Sequence, residues 1–329
     1  MRGGNRRFYR GIINHIYQIA IEGDVIFYSI SDHLVYFTIF CTFARKHGIR
    51  VLKLCQMPDH IHGSLTADKK SHLSAFERDT TAVFAREHNG VCHRKGPFFK
   101  SPFGSVPKYG DKKARSNLIY VDNNPVERRI CDRAEQYRWN YLAYATSDHP
   151  FSEPFRAREA SNAMLRAIRT VKDRHARGLH LPYSMLKRLF RPLGQKERQQ
   201  LVDIIVTTYS VIDYQEALRF FDNLDAMMIA IHSTTGSEHD LNEVFVGKDD
   251  SWYRRMADIV IAHGNLSDIH DMLGYSPEKK YELFLLLRRE TQATSEQIAK
   301  FLRIRLRKAG EDAPAETGQE ALPPDERRP

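Results

Sequence analysis

Met57-Pro58-Asp59-His60-Ile61-His62-Gly63-Ser64-Leu65 follows a β-rich run, Ile49 to Cys55, and brings two histidines directly after a Pro-Asp turn. On a strand over 60–65 the side chains alternate between faces. His60 and His62 then point to one side, and Ile61, Gly63 and Leu65 to the other. Two imidazoles about 7 Å apart, given a rise of ~3.3 Å per residue, can share a metal ion where their face lines a cleft. A His-x-His pair by itself is more often plain surface or satisfied core. A third ligand and a reactive group are needed, and both are found around Tyr120.

Working outward, Asn14 to Ile21 reads as a first strand closed by the turn Glu22-Gly23-Asp24. Val25 to Ile30 reads as a short strand or the approach to a helix. Ser31 is the expected N-cap of a buried helix over 32–47, with Leu34, Val35, Phe37, Ile39, Phe40 and Phe43 at its apolar positions and Gly48 as its stop. A strand over 49–56 and the histidine strand follow, then a helix over 71–88 and an extended Gly/Pro/Phe-rich stretch, 95–108. Strand, helix, strand, strand, helix, strand is the order of a ferredoxin-like α+β sandwich. Its histidine strand would be central.

Asp111 to Val121 reads as a third helix ending near Asn123-Asn124-Pro125. Tyr120 and Asn124 stand four apart and share a helix face, although Pro125 biases Asn124 away from the α region. An amide oxygen can be a hard metal ligand, and a tyrosine hydroxyl can be a nucleophile. The plainer alternative is that Tyr120 packs on the sheet and Asn124 caps the helix.

The chain has 329 residues and a formal charge of +9. Residues 1–150 hold 23 Lys and Arg against 14 Asp and Glu, whereas residues 151–329 hold 27 of each. A basic excess in the half with the candidate metal site suits a phosphodiester polyanion. No apolar run approaches the ~18 residues that would span a bilayer. The first residues lack a secretory segment, and Cys41, Cys55, Cys92 and Cys131 form no Cys-x-x-Cys pair. A reduced, cytoplasmic protein away from membranes is the expectation.

His60-Ile61-His62 after Met-Pro, Tyr120-Val121-Asp122-Asn123-Asn124-Pro125-Val126, and Tyr137-Arg138-Trp139 occur in that order. This set resembles the single-tyrosine HUH transposases, in the REP-associated, insertion-sequence-200-like branch, over about residues 8–145. The stretches Gly4-Asn5-Arg6-Arg7-Phe8-Tyr9-Arg10-Gly11 and Asn14-His15-Ile16 resemble that family's first strand. The resemblance implies a bacterial, nucleoid-associated enzyme that cuts and rejoins single-stranded or hairpin DNA, with a homodimer as an expected assembly. It implies His60, His62 and Asn124 as ligands of Mg2+ or Mn2+, where imidazoles alone would suggest a transition metal. It implies Tyr120 as the nucleophile, forming a 5′-phosphotyrosine link. Two positions depart from the family pattern: Asp59 stands where Asn is commoner, and Glu127 where Arg is commoner. Arg128 and Arg129 are available to replace the missing arginine.

Lys100, Lys108, Lys112 and Arg115 are candidate DNA-backbone contacts, together with Lys113. Phe98, Phe99 and Phe103 are candidate base-stacking groups, although such phenylalanines are more often core. Beyond residue 150 the pattern is helical: 161–178, 183–190, 195–210 and 214–231. Residues 151–200 are basic and 201–250 acidic. Leu266 to Ser276 and Thr294 to Ile304, the latter running into Arg305, Arg307 and Lys308, resemble helix-turn-helix units. The reading is therefore an HUH domain over 8–150, an all-α region over 151–308, and a disordered tail over 309–329. Two alternatives compete. One is a non-catalytic DNA-binding regulator on the same fold. The other is a two-histidine phosphoesterase built on His62-Gly63-Ser64 and His72-Leu73-Ser74, whose pairs stand too close to face each other across a cleft.

Overall fold

The computed structural model describes residues 8–100, 103–233 and 249–306; the expected tail and Arg307 and Lys308 lie outside the described residues. Four strands, β1 (Ile13–Ile19), β2 (Arg50–Gln56), β3 (His60–Thr66) and β4 (Gly104–Lys108), form an antiparallel sheet in the order β2-β3-β1-β4. Between them run α1 (Ile30–His47) and α2 (Lys70–Val91), and α3 (Gly110–Glu127) follows β4. This is the α+β fold expected from the sequence, with the histidine strand in a central position.

The two sheet faces divide by strand parity. Ile16, Ile61 and Leu65 join the core beneath α1 and α2. On the other face His15 pairs with Ser64, and His62 stands between Tyr17 and Cys55. There α3 covers the sheet, with Leu118 and Ile119 packed near Ile13 and Leu52. The sheet therefore separates an apolar layer from a layer of buried polar groups. Gly104 lies opposite Tyr17, and a Cβ at this position would overlap the tyrosine ring. Gly104→Ala should cost about 1–3 kcal/mol, as overpacking does, and lower the urea midpoint without changing the slope.

Several expected boundaries shift. The N-cap of α1 is Ser29 rather than Ser31: its hydroxyl accepts from the Asp32 amide, while the Asp32 carboxylate accepts from the Tyr28 and Ser29 amides at 2.9 and 2.8 Å. This reciprocal box satisfies donors that the other serine would leave open. Val25 to Tyr28 is a buried connector and not a strand. Helix α3 continues through Pro125 to Glu127. Proline forfeits one helical hydrogen bond, but the Arg128 amide still reaches the Asn124 carbonyl and the Ile130 amide the Pro125 carbonyl.

The second half continues with α4 (Asn162–Ala176), α5 (Tyr183–Phe190), α6 (Gln195–Tyr209), α7 (Tyr214–Leu218), α8 (Leu224–Ser233), α9 (Ser251–Gly264), α10 (Pro277–Glu290) and α11 (Ser295–Leu302). The single helix expected over 214–231 breaks in two because the Asn223 side chain accepts from the Ala226 amide at 2.8 Å and starts a new helix. Helices α4–α6 share a core with α1, where Phe37 stacks on Tyr141 at 4.4 Å. Helices α9–α11 build a second core on Val25 and Tyr28. No helix of the described residues is long and apolar enough to cross a membrane.

Neither helix-turn-helix expectation finds support in the structure. Leu266 to Ser276 is a 3-10 turn, Ile269–Gly274, leading into α10. In α11 Gln297, Ile298, Ala299, Phe301 and Leu302 are buried, so most of this helix faces the protein rather than solvent. The amphipathic spacing serves a bundle core instead.

Candidate active site

Helix α3 lays Tyr120 and Asn124 over the histidine strand, one helical turn apart as their spacing requires. The Asn124 Oδ1 lies 3.2 Å from the His60 Nε2. The His60 and His62 rings are 4.8 Å apart between centroids, and the Tyr120 ring is 5.4 Å from His62. Four groups that span 65 positions of sequence thus meet on one face of the sheet. The plainer view of Tyr120 as packing and Asn124 as a cap omits the amide's position against His60.

Each histidine is oriented by a second group. Asp59 Oδ1 holds the His60 Nδ1 at 2.5 Å, which aims Nε2 at Asn124. His15 Nε2 lies 3.0 Å from the His62 Nδ1, so a metal would take His62 through Nε2. A carboxylate or ring nitrogen behind a ligand histidine fixes its tautomer and direction. Burial, followed by the nearby His60 and His15 rings, holds His62 well below the usual histidine range. Burial and then Lys108 lower His15 to about 3. Burial alone would raise the Asp59 carboxyl, but the His60 ring and the Lys300 ammonium hold it well below the usual range. Neutral imidazole is the form that binds a cation. Two oriented imidazoles and an amide oxygen fit a divalent ion, with Asp59 anionic behind them.

Several other polar groups on this face pair within the fold. Ser64 Oγ donates to Asn117 Oδ1 at 2.8 Å, and Asn123 Nδ2 donates to the Ile231 carbonyl at 2.7 Å. Lys53 and Asp122 form a buried ion pair at 2.6 Å.

The candidate DNA contacts divide by exposure. Lys100, Lys112, Lys113, Arg115 and Arg129 are exposed, and the Arg115 guanidinium lies over the Phe221 ring at 5.0 Å. Two expectations are corrected. Lys108 is buried, on the strand that pairs with His15's strand. Arg128 is buried and makes a two-pronged pair with Asp250 at 2.8 and 2.9 Å, so its donors are spent inside the protein. Phe98 and Phe99 are also buried, in the α1–α2 core, and are not a stacking platform; Phe103 packs partly buried against the same core. His72 belongs to α2, across the sheet from His62, so the two-histidine phosphoesterase pairing does not form.

Sequence reasoning assigned no role to His15, Lys300 or Asp250. His15 lies on β1, the strand directly beside the histidine strand, and its place two residues from Tyr17, on the same face, is the signal the sequence offers. Lys300 pairs with Asp59 from 241 positions away, which no local pattern reports. Together with the Arg128–Asp250 pair it ties the second half of the chain to residues beside the candidate site. Tyr120 is 7% exposed, His60 4% and Asn124 1%, so all three are largely closed to solvent.

His88, Cys92 and His270 form a separate grouping, with three ligand-type atoms within 4.8 Å of one another. Both His270 nitrogens are already held, by Asp32 at 2.9 Å and Asp268 at 2.6 Å. The Arg303 guanidinium lies 3.4 Å from His88. This is a network of ion pairs with a cation already inside it.

No family model matches the chain, and no curated protein matches it. A solved structure described as a REP-associated tyrosine transposase bound to a REP hairpin is similar at 13% identity and a TM-score of 0.38, covering 44% of this chain and 84% of that one.

Proposed function

We propose that the chain is a metal-dependent endonuclease and transposase of single-stranded DNA, with Tyr120 as nucleophile and His60, His62 and Asn124 as ligands of Mg2+ or Mn2+. The observation that supports this reading is the meeting of those four groups, with His60 3.2 Å from Asn124 and the Tyr120 ring 5.4 Å from His62. The ion would neutralise charge on the scissile phosphate and stabilise the departing oxygen. The Tyr120 oxygen attacks phosphorus in line, its proton passing to water. The bond from phosphorus to the 3′-oxygen breaks, and that oxygen takes up a proton as a free 3′-hydroxyl. The new bond is a 5′-phosphotyrosine ester. It keeps the phosphodiester's energy, so attack by another 3′-hydroxyl rejoins the strand without a nucleotide cofactor.

His15 and Asp59 act as positioning residues, each holding one histidine in a fixed tautomer. Lys100, Lys112, Arg115 and Arg129 are proposed to meet the DNA backbone. Hairpin DNA labelled at its 3′ end, the side that stays joined to Tyr120 through its 5′-phosphate, is the substrate for the test, incubated with Mn2+ or Mg2+. A protein–DNA adduct that survives denaturation and maps to the Tyr120 peptide is expected, and a chelator should prevent it. Cleavage that persists undiminished in chelator, or an adduct on another residue, would overturn the assignment.

A further inference from the structure

We infer that α4 and α5 form a second DNA-binding face, one that grips the phosphate backbone of a duplex stem. The inference rests on the reading of hairpin DNA as substrate and names which part of it this face holds. Residues 161–200 carry ten Lys and Arg against two Asp and Glu, and residues 201–250 the reverse, two against ten. The even charge of the second half therefore hides a strong polarity.

The structure sorts these cations by face. Helix α4 buries Met164, Ala167 and Val171 and turns Arg166, Arg169 and Lys172 to solvent. Helix α5 buries Tyr183, Leu186 and Leu189; Lys187, Arg188 and the following Arg191 are exposed. None of these six has an ion-pair partner among the described residues, whereas Arg128, Arg138 and Arg305 all do. Six unneutralised cations on two successive helices repel one another, and a polyanion relieves that repulsion.

The chemistry around them selects the polyanion. A single strand is bound on exposed aromatics that stack its bases, and a membrane surface by exposed apolar side chains beside the cations. Neither helix has a large exposed hydrophobic or aromatic residue. Four of the six cations are arginines, whose forked donors match phosphate oxygens. Cations without stacking or insertion groups read a backbone and not bases.

The test measures binding in the uncleaving Tyr120→Phe protein, so its result does not depend on the nuclease assignment. Two charge-neutral variants are compared with it: Arg166→Gln/Arg169→Gln/Lys172→Gln and Lys187→Gln/Arg188→Gln/Arg191→Gln. The probes are a mixed-sequence duplex and a single strand of equal length. Each variant should bind the duplex at least ~10-fold more weakly, and its log–log salt slope should be shallower by up to about 2.7, since each of three lost backbone phosphate contacts contributes ~0.9. Single-strand affinity and the thermal midpoint should not change. Duplex affinity and salt slope that stay as before would overturn the inference, as would an equal loss on the single strand. Loss of the covalent adduct in the parent protein would instead strike at the nuclease reading.

Discussion

Tyr120→Phe should abolish the covalent DNA adduct and lower strand cleavage on the order of 10⁴-fold or more, as removal of a nucleophile does when nothing nearby replaces it. The substitution removes one oxygen and keeps the ring that packs with Cys55, Met57 and Val121, so the fold should survive. A rate measured under single-turnover conditions separates the chemistry from DNA binding. His60→Ala should act differently. It removes a proposed ligand and leaves Asp59 with Lys300 alone, so excess Mn2+ should recover part of its lost rate, whereas Tyr120→Phe should not respond to metal. Equal rescue of both variants, or residual adduct in Tyr120→Phe, would sink the division of roles.

Asp32→Ala is expected to have the largest effect on stability. This buried carboxylate accepts from two amides at the start of α1, from the Tyr183 hydroxyl at 2.5 Å and from His270 at 2.9 Å. It ties the N-terminal half to two separate parts of the second. Removing one partner of a buried pair costs about 3–5 kcal/mol because the other charge is left behind. The pH dependence follows from the same contact. Burial would lower His270, but Asp32 and Asp268 raise it to about 10. A histidine raised on folding contributes fully below its unfolded value near 6.5 and loses that contribution as pH climbs toward 10. Burial would raise Asp32, and His270 with its hydrogen bonds depresses it instead. Its contribution is complete above the unfolded value near 4 and is lost on acidification. The urea midpoint should therefore fall between pH 6.5 and 10, and His270→Gln should flatten that fall. A wild-type midpoint that stays level over this range would contradict the ion pair.

Much of the sheet was legible because its signals are local. Period-two alternation in His60 to Leu65 put the histidines on one face, and the four-residue step from Tyr120 to Asn124 put phenol and amide on one helix turn. Long-range pairs were not legible. Nothing near Asp59 announces Lys300, and nothing near Arg128 announces Asp250, so two cations took roles inside the fold that the sequence assigned to DNA or left open. The helix-turn-helix expectations meet a related difficulty. Apolar spacing in Thr294 to Ile304 is the same whether the helix packs into a bundle or stands in a groove; only burial distinguishes them. Phe98 and Phe99 failed on the same ground.

Helix α1 has sheet and α2 on one flank, and on the other its Thr38 hydroxyl accepts from the Leu181 amide while Arg45 reaches the Tyr209 carbonyl. During synthesis these partners leave the ribosome more than a hundred residues after α1 does. Until they emerge, one flank of the helix faces water without its native neighbours, and the nascent chain is a natural client for chaperones that shield such surfaces.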